Sequence, residues 1–191
     1  MTNLILGSNS PRRKQILTDA GYKFSVAPIH ANEDFPQELI PKNVPCFLSE
    51  KKSLAFPREL ACNEILVTAD TIVVIANKIL NKPENYQEAF GMLRTLSGKA
   101  HLVFTGVTLR SNTGKNTFVD ETKVFFKELS DSEIDFYITH FKPFDKAGAY
   151  GAQDWMGLVG IERLEGSFYN VMGLPIHLLH KELKKMNFSL P

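Results

Sequence analysis

Several features that mark specialised proteins are scarce in this sequence. Its 191 residues include two cysteines, Cys46 and Cys62, which do not form a C-x-x-C pair. This spacing predicts reduced thiols, because disulfide frameworks and metal sites use several closely spaced cysteines. No apolar run approaches the roughly 20 residues that cross a bilayer, and the first residues lack the basic and apolar regions of a secretory signal. These absences predict a cytoplasmic protein with no membrane partner.

Charge of one sign is also scarce. Lysine and arginine total 22 against 21 aspartates and glutamates, so the formal net charge is +1. A near-neutral chain argues against the broad basic surface with which proteins bind nucleic acids. The sequence also lacks a Walker phosphate loop, a G-x-S-x-G motif and a dinucleotide fingerprint. Any local cluster of cations therefore needs a local explanation.

The segments that are present alternate between strand and helix. Apolar residues make up 43% of the chain, which is ordinary for a globular domain. Apolar runs predict strands over Leu4–Leu6, Tyr22–Ala27, Ile65–Ile75, His101–Leu109, Phe118–Leu129 and Leu158–Leu164. Caps and apolar faces predict helices that begin at Pro11, Asn85, Ser130 and Pro175, and another that ends at Leu54. We therefore expect one mixed α/β domain over residues 1–191.

The first turn of the helix that starts at Pro11 breaks a local rule. Arg12, Arg13 and Lys14 lie at the positive end of the helix dipole, which disfavours each cation by roughly 0.3–1 kcal/mol. A bound anion would explain them, because backbone N–H groups and two guanidinium forks would converge on a phosphate chain. A solvated basic turn is the alternative. The small, polar lead-in Gly7-Ser8-Asn9-Ser10 can approach a ligand closely, which favours the phosphate site.

Asp70 interrupts the most apolar strand of the sequence. Aspartate is depleted in strands, and an unpaired buried carboxylate is costly. This residue therefore needs a metal, an arginine, a capped loop or a catalytic task to offset its burial. A structural hydrogen bond is the alternative. Thr71 adds a hydroxyl beside it.

A loop rich in small residues covers Asp145–Gln153. Small side chains let the backbone approach a ligand, and the amide of Gln153 can read the edge of a base. A surface loop with a structural Asp145–Lys146 pair is the alternative. Lys82, which is followed by proline, can reach a phosphate, although most such lysines are solvated.

Six segments of the sequence resemble the Maf family of nucleotide pyrophosphatases, and they occur in the family's order. They are L-G-S-N-S-P-R-R from Leu6, T-A-D-T-I-V from Thr68, N-K-P from Asn81, M-L-R-T-L-S-G-K-A-H from Met92, D-K-A-G-A-Y-G-A-Q from Asp145 and E-G-S-F-Y-N-V-M-G-L-P from Glu165. The resemblance covers almost the whole chain. It implies an α/β fold, in which an elongated mixed β-sheet with flanking helices forms two lobes around an active-site cleft. It also implies kinship with inosine-triphosphate pyrophosphatases.

The resemblance further implies a reaction. Maf proteins cleave nucleoside triphosphates between the α- and β-phosphates, which yields a monophosphate and pyrophosphate. They use a divalent cation, for which magnesium is the first expectation and manganese the second. A homodimer is expected as well. The family is linked to restraint of septum formation and cell division, so a non-catalytic nucleotide-binding regulator is the alternative function.

Carried over residue by residue, the resemblance assigns a site. Asp70 matches the catalytic proton acceptor, and it shares the metal-binding role with Glu33, for which Asp34 competes. The expected substrate-binding and specificity residues are Ser8, Arg12, Arg13, Lys52, Thr71, Lys82 and Gln153.

Three positions bear on the substrate. Arg12, Thr71 and Gln153 resemble the branch of the family that hydrolyses dTTP and UTP. A second branch prefers 7-methyl-GTP and carries an aromatic residue before the arginine pair, D-Q in place of D-T, and a glutamate in the loop. We therefore expect pyrimidine triphosphates, including modified ones. Lys51 and Asp154-Trp155 depart from the family pattern, and the latter pair could narrow the pocket.

Overall fold

We describe the fold from a computed structural model, which covers residues 2–188. Its strands are Asn3–Leu6 (β1), Phe24–Val26 (β2), Glu64–Ile75 (β3), Lys78–Leu80 (β4), Ala100–Arg110 (β5), Lys115–Phe126 (β6) and Ile161–Glu165 (β7). Its α-helices are Pro11–Asp19 (α1), Val44–Leu54 (α2), Tyr86–Leu96 (α3), Asp131–Phe141 (α4), Trp155–Val159 (α5), Phe168–Val171 (α6) and Ile176–Lys185 (α7).

The strands form one mixed, hydrogen-bonded sheet in the order β2-β1-β3-β5-β6-β7, and β4 pairs with β3. β1 runs parallel to both β2 and β3, whereas β4 is antiparallel to β3 and β7 is antiparallel to β6. The predicted α/β class with a mixed sheet and flanking helices is confirmed. Within residues 2–188, no helix is long and apolar enough to cross a membrane.

The chain divides into two compact units. Among the described residues, the first comprises 2–70, 105–120 and 173–188, and the second comprises 71–104 and 121–172. β3, β5 and β6 each contribute residues to both units, and within β3 the division falls between Asp70 and Thr71.

Close packing of α2 on β5 shapes the first unit. A Cβ atom added to Gly106 of β5 would lie 2.3 Å from the carbonyl carbon of Pro45 and 2.4 Å from the amide nitrogen of Cys46. Real side chains do not tolerate such distances to backbone atoms, so glycine is required where the first turn of α2 meets the strand.

The second unit has its own apolar core, to which α3 and α4 contribute their buried faces. Its fully buried members include Leu93, Leu96, Ile134, Tyr137 and Met156. The helix predicted to begin at Ser130 is present, and Ser130 and Glu133 form a capping box at its start. A turn follows β3, where Ala76 and Asn77 adopt positive φ angles of 47° and 63° and lead into β4.

The strand predicted over Leu158–Leu164 is wrong in its first half. The short helix α5 occupies Trp155–Val159, and β7 begins only at Ile161. The Asp154 carboxylate accepts the amide of Met156 at 3.2 Å and caps the helix start, and the Gly160 amide donates to the Met156 carbonyl at 2.8 Å at its end. These local caps outweigh the apolar composition.

The Tyr137 hydroxyl holds the loop that precedes α5. It donates to Asp154 Oδ2 at 2.9 Å and accepts the Gly151 amide at 3.1 Å. Burial raises the pKa of the Tyr137 phenol, and the Asp154 charge raises it further. Asp154, one of the departures from the family pattern, therefore has a structural partner in the second unit.

We expect Tyr137→Phe to lower the free energy of unfolding by about 1–3 kcal/mol, because it removes the hydrogen bond that the buried Gly151 amide donates and one that the Asp154 carboxylate accepts. Urea unfolding followed by circular dichroism measures the change. Tyr86→Phe is the matched control, since the Tyr86 hydroxyl donates to Asp135 at 2.6 Å on the exposed surface. That variant should lose about 0.5 kcal/mol or less. Equal losses in the two variants would show that the loop does not depend on Tyr137.

His101 is a second buried polar group of this unit. Its Nε2 lies 2.8 Å from the Tyr150 hydroxyl, and its ring packs edge-on against Phe126 with centroids 5.0 Å apart. Burial lowers the pKa of His101 from its ordinary value of 6.5 to about 3. The imidazole is therefore neutral in the folded protein at any pH near neutrality.

We expect the free energy of unfolding to fall as the pH drops from 6.5 toward 3, because the unfolded chain then binds a proton at His101 that the folded chain refuses. The maximal slope from this group is roughly 1 kcal/mol per pH unit. The neutral variant His101→Gln should be less stable than wild type at pH 7, and the gap should shrink at pH 4.5. Urea unfolding at both pH values measures the gap, and a constant gap would contradict the assignment.

Candidate active site

The start of α1 has the local structure that the sequence predicts. Ser10 is the N-cap, its hydroxyl accepts the Arg13 amide at 3.5 Å, and Pro11 opens the helix. The first turn contains no acidic residue. Arg12 and Arg13 therefore lie at a positive helix terminus whose charge no carboxylate of that turn offsets.

Arg13 is anchored rather than extended into solvent. Its Nε donates to the Gly173 carbonyl at 2.8 Å, and its Nη1 donates to the Ser8 hydroxyl at 3.3 Å. The Ser8 oxygen also accepts the Ser10 amide at 3.2 Å. Burial lowers the pKa of Arg13, and the charge of Asp70 opposes that shift. Arg13 is therefore held in one orientation, which disfavours the alternative of a solvated basic turn.

Asp70 is buried in β3, with 8% of its surface exposed. Its Oδ1 accepts the Lys52 ammonium at 2.5 Å, and the same ammonium donates to Glu33 Oε1 at 2.8 Å. Lys52 lies in the last turn of α2, where the helix dipole favours a cation. The burial of Asp70 is thus offset by an ammonium that two carboxylates share.

Opposing influences set the pKa of Asp70. Burial is the largest and raises it, the charge and hydrogen bond of Lys52 and the charge of Arg13 lower it, and the charge of Glu33 raises it. The net direction is upward. A carboxylate whose desolvation is only partly offset by cations is a better proton acceptor than a free aspartate.

The structure separates Glu33 from Asp34. Glu33 bonds to Lys52, whereas the Asp34 carboxylate accepts the Asn32 side-chain amide at 2.5 Å within its own loop. Lys51, whose presence departs from the family pattern, donates to the Asp34 carbonyl at 2.9 Å. Lys51 and Lys52 therefore tie this loop to the end of α2, and Glu33 is the acidic residue that lies beside Asp70.

Three of the expected residues belong to the second unit. Thr71 follows Asp70 in β3, while Lys82 and Gln153 are exposed. The Asn81 carbonyl accepts the Gly148 amide at 3.1 Å, so the segment with Lys82 contacts the small-residue loop that ends at Gln153. Lys146 also donates to Asp145 at 2.7 Å, so the structural pair considered for this loop is present.

The link between Lys52 and Asp70 is the feature that sequence reasoning missed. The resemblance assigned Lys52 to substrate binding, and the structure places its ammonium between Glu33 and Asp70. A usable signal exists in hindsight, since a lone aspartate in an apolar strand requires a cation. The sequence offers many lysines, however, and its local periodicity does not select one of them.

Glu33 and Asp70 supply the type of ligand that a hard divalent cation requires. Magnesium is usually held by one or two carboxylates together with waters and substrate phosphates. Two carboxylates that converge on one ammonium fit that donor set. Among the described residues, no group of three or more His, Cys, Asp or Glu side chains is placed to hold a metal. Phosphate oxygens and water would therefore have to complete the coordination.

Comparison with known proteins agrees with the family expected from the sequence. Residues 3–186 match the family described as Maf-like protein. A dTTP/UTP pyrophosphatase from Cytophaga hutchinsonii is 47% identical over 185 residues, which cover 97% of this chain and 84% of that protein. A dTTP/UTP pyrophosphatase from Porphyromonas gingivalis is 45% identical over 189 residues, which cover 97% and 95%. One from Bacteroides thetaiotaomicron is 44% identical over 184 residues, which cover 96% and 95%.

A solved nucleoside-triphosphatase (dITP/XTP pyrophosphatase) from Mycobacterium abscessus aligns with 97% of this chain and 94% of its own. Its identity is 9% and its TM-score is 0.42, so the family assignment depends on the sequence relatives instead. The family match and the relatives span nearly the full length and include the segments with Arg13, Lys52 and Asp70. The chain belongs to the Maf family.

Proposed function

We propose that this protein hydrolyses dTTP and UTP to the monophosphate and pyrophosphate. The observation that carries the proposal is the buried Asp70 carboxylate held by Lys52, near the anchored guanidinium of Arg13. Full-length relatives named dTTP/UTP pyrophosphatase support the substrate. A binding module without turnover needs no buried base, so this arrangement favours an enzyme.

Cationic side chains bind the phosphates in this proposal. A triphosphate carries about four negative charges, and preorganised cations stabilise charge most effectively when they do not reorganise during the reaction. Arg13 is fixed by Ser8 and the Gly173 carbonyl, so its fork meets a phosphate without losing conformational freedom. Arg12 and Lys82 are assigned as further phosphate contacts.

Asp70 is the proton acceptor in this mechanism. Lys52 occupies Oδ1, and we assign Oδ2 to the attacking water. The water oxygen forms a bond to the α-phosphorus and its proton passes to Asp70. The bond between that phosphorus and the bridging oxygen breaks, and its electron pair leaves with pyrophosphate. Magnesium or manganese, held by Glu33 and Asp70, would neutralise phosphate charge when bound.

Gln153 and Thr71 are the residues assigned to recognition of the nucleobase. Gln153 ends the small-residue loop, which is held by hydrogen bonds from Gly151 to the Tyr137 hydroxyl and from Gly148 to the Asn81 carbonyl. Its side-chain amide offers one donor group and one acceptor. Thr71 adds a hydroxyl. Both residue types resemble the dTTP/UTP branch, whereas the branch that prefers 7-methyl-GTP has glutamine and glutamate there. Pyrimidine triphosphates are therefore the proposed substrates.

The cytoplasm is the proposed compartment, and a homodimer is the proposed assembly. Cys46 and Cys62 are both free thiols, which agrees with a reducing environment. The dimer rests on the family resemblance, and light scattering after size-exclusion chromatography tests it.

Asp70→Asn should lower kcat for dTTP by about 10²-fold to 10⁴-fold, because the amide cannot accept the proton from water. Pyrophosphate release with magnesium measures the rate, and calorimetry checks that the variant still binds nucleotide. Asp135→Asn is the matched control, since Asp135 is an exposed carboxylate bonded to Tyr86. A variant Asp70→Asn with wild-type turnover would rule out this mechanism.

Gln153→Ala should lower kcat/KM for dTTP and UTP by about tenfold or more, because the variant lacks the amide that hydrogen-bonds to the pyrimidine base. The low rate with 7-methyl-GTP should stay unchanged, because the amide does not recognise that base. Competition between dTTP and 7-methyl-GTP in one reaction measures the ratio of their kcat/KM values. Gln87→Ala on the exposed face of α3 is the control. A uniform loss across all nucleotides would assign Gln153 to phosphate binding or folding instead.

A further inference from the structure

A second hydrogen bond joins α2 to β3 next to the Lys52–Asp70 pair. The Thr68 hydroxyl donates to the Ser49 carbonyl at 2.7 Å, and neither residue has any exposed surface. No water reaches this hydroxyl, so its bond to the helix has no solvent substitute. Thr68 has no part in the proposed chemistry described above.

The Thr68–Ser49 and Asp70–Lys52 contacts both join β3 to α2. Thr68 and Asp70 are two residues apart and lie on one face of β3, about 6.6 Å apart along the strand. Ser49 and Lys52 are three residues apart and lie on one face of α2, about 4.5 Å apart along its axis. The spacing along the strand exceeds the spacing along the helix by about 2 Å, and the long lysine side chain can span that difference. The Thr68–Ser49 bond therefore lies about one helical turn from the Lys52–Asp70 contact, on the same strand and the same helix.

Further hydrogen bonds hold the middle of α2 on β5 and β6 and leave its last turn to its contacts with β3. The Ser49 hydroxyl lies 2.9 Å from the Thr108 hydroxyl of β5, and Thr108 lies 3.1 Å from Thr117 of β6. Thr117 donates to Glu50 at 2.7 Å, which returns the chain of hydrogen bonds to α2. The helix is thus held at Ser49 and Glu50, one turn before Lys52.

We propose that Thr68 is a positioning residue that sets the register of α2 on β3 and so holds the Lys52 ammonium against Asp70. The catalytic consequence rests on the proposed pyrophosphatase activity, whereas the position of Lys52 does not. Loss of the Thr68 hydroxyl removes a hydrogen bond between α2 and β3, so the last turn of the helix moves more freely on the strand and Lys52 leaves Asp70 for part of the time. The buried carboxylate then lacks the ammonium that is hydrogen-bonded to its Oδ1.

The first test measures Lys52 without turnover. An amine-acylating reagent modifies lysines at a rate that reflects their accessibility, and the Lys52 side chain is 14% exposed against 61% for Lys185, the internal reference. Mass spectrometry gives the rate at each lysine. Thr68→Val, which keeps the shape and removes the hydroxyl, should raise the Lys52 rate about threefold or more. Thr68→Ser, which keeps the hydroxyl, should leave it at the wild-type value.

Two controls separate positioning from general loosening. Ser53→Ala removes another buried hydroxyl of α2, which has no hydrogen-bond partner within the described residues, so the Lys52 rate should not change. Thr122→Val removes a hydroxyl of the second unit that accepts the Asn170 amide at 2.9 Å, so it should lose stability without exposing Lys52. An equal rise in Thr122→Val and Thr68→Val would overturn the proposal, as would an unchanged rate in a folded Thr68→Val.

The second test measures turnover. In Thr68→Val, kcat for dTTP should fall about tenfold or more while KM changes little, because the hydroxyl acts on the proton acceptor rather than on substrate binding. Thr68→Ser should restore kcat. A wild-type protein that turns over no nucleotide refutes the proposed function and leaves the acylation result to decide the positioning. If Thr68→Val exposes Lys52 but keeps the wild-type kcat, then placement of the Lys52 ammonium against Asp70 has no catalytic role.

Discussion

The burial of one carboxylate is the constraint on which the rest of the site depends. Asp70 lies in an apolar strand, and an ion in that environment must be paired and hydrogen-bonded. Lys52 meets the requirement, and it reaches Asp70 from the last turn of α2. The packing of that helix is therefore tied to the charge of the strand. Gly106 contributes by allowing the helix backbone to approach β5 at close range.

A second ion of the same unit, Arg13, is partly buried and is likewise held by hydrogen bonds. Arg13 is fixed by a hydroxyl and a backbone carbonyl, neither of which carries a formal charge. The positive charge of Arg13 favours the ionised form of Asp70. A cation and a base that are both rigid before substrate arrives can stabilise a developing charge without reorganisation. The removal of water from Asp70 and Arg13 that accompanies folding therefore also prepares these groups for the proposed catalysis.

Most elements with local signals could be predicted from the sequence. The cap and proline at Ser10-Pro11 and the capping box at Ser130 both appear as expected, because these motifs satisfy backbone groups within a few residues. The strand expected at Leu158 failed for a related reason. Asp154 and Gly160 cap a short helix, and these local hydrogen bonds outweigh the strand preference of the apolar residues between them.

The sequence by itself determined the family, the α/β class and the residues whose placement breaks a local rule, namely Asp70 in its strand and Arg12-Arg13 in their helix turn. Only the tertiary structure decided which partners satisfy them. Lys52 lies 18 residues from Asp70, and Gly173 lies 160 residues from Arg13. Periodicity and capping report contacts within a turn or a hairpin, so they identify a buried charge without naming its partner. That choice is made when packing brings distant segments together and the energetic cost of an unpaired ion excludes the alternatives.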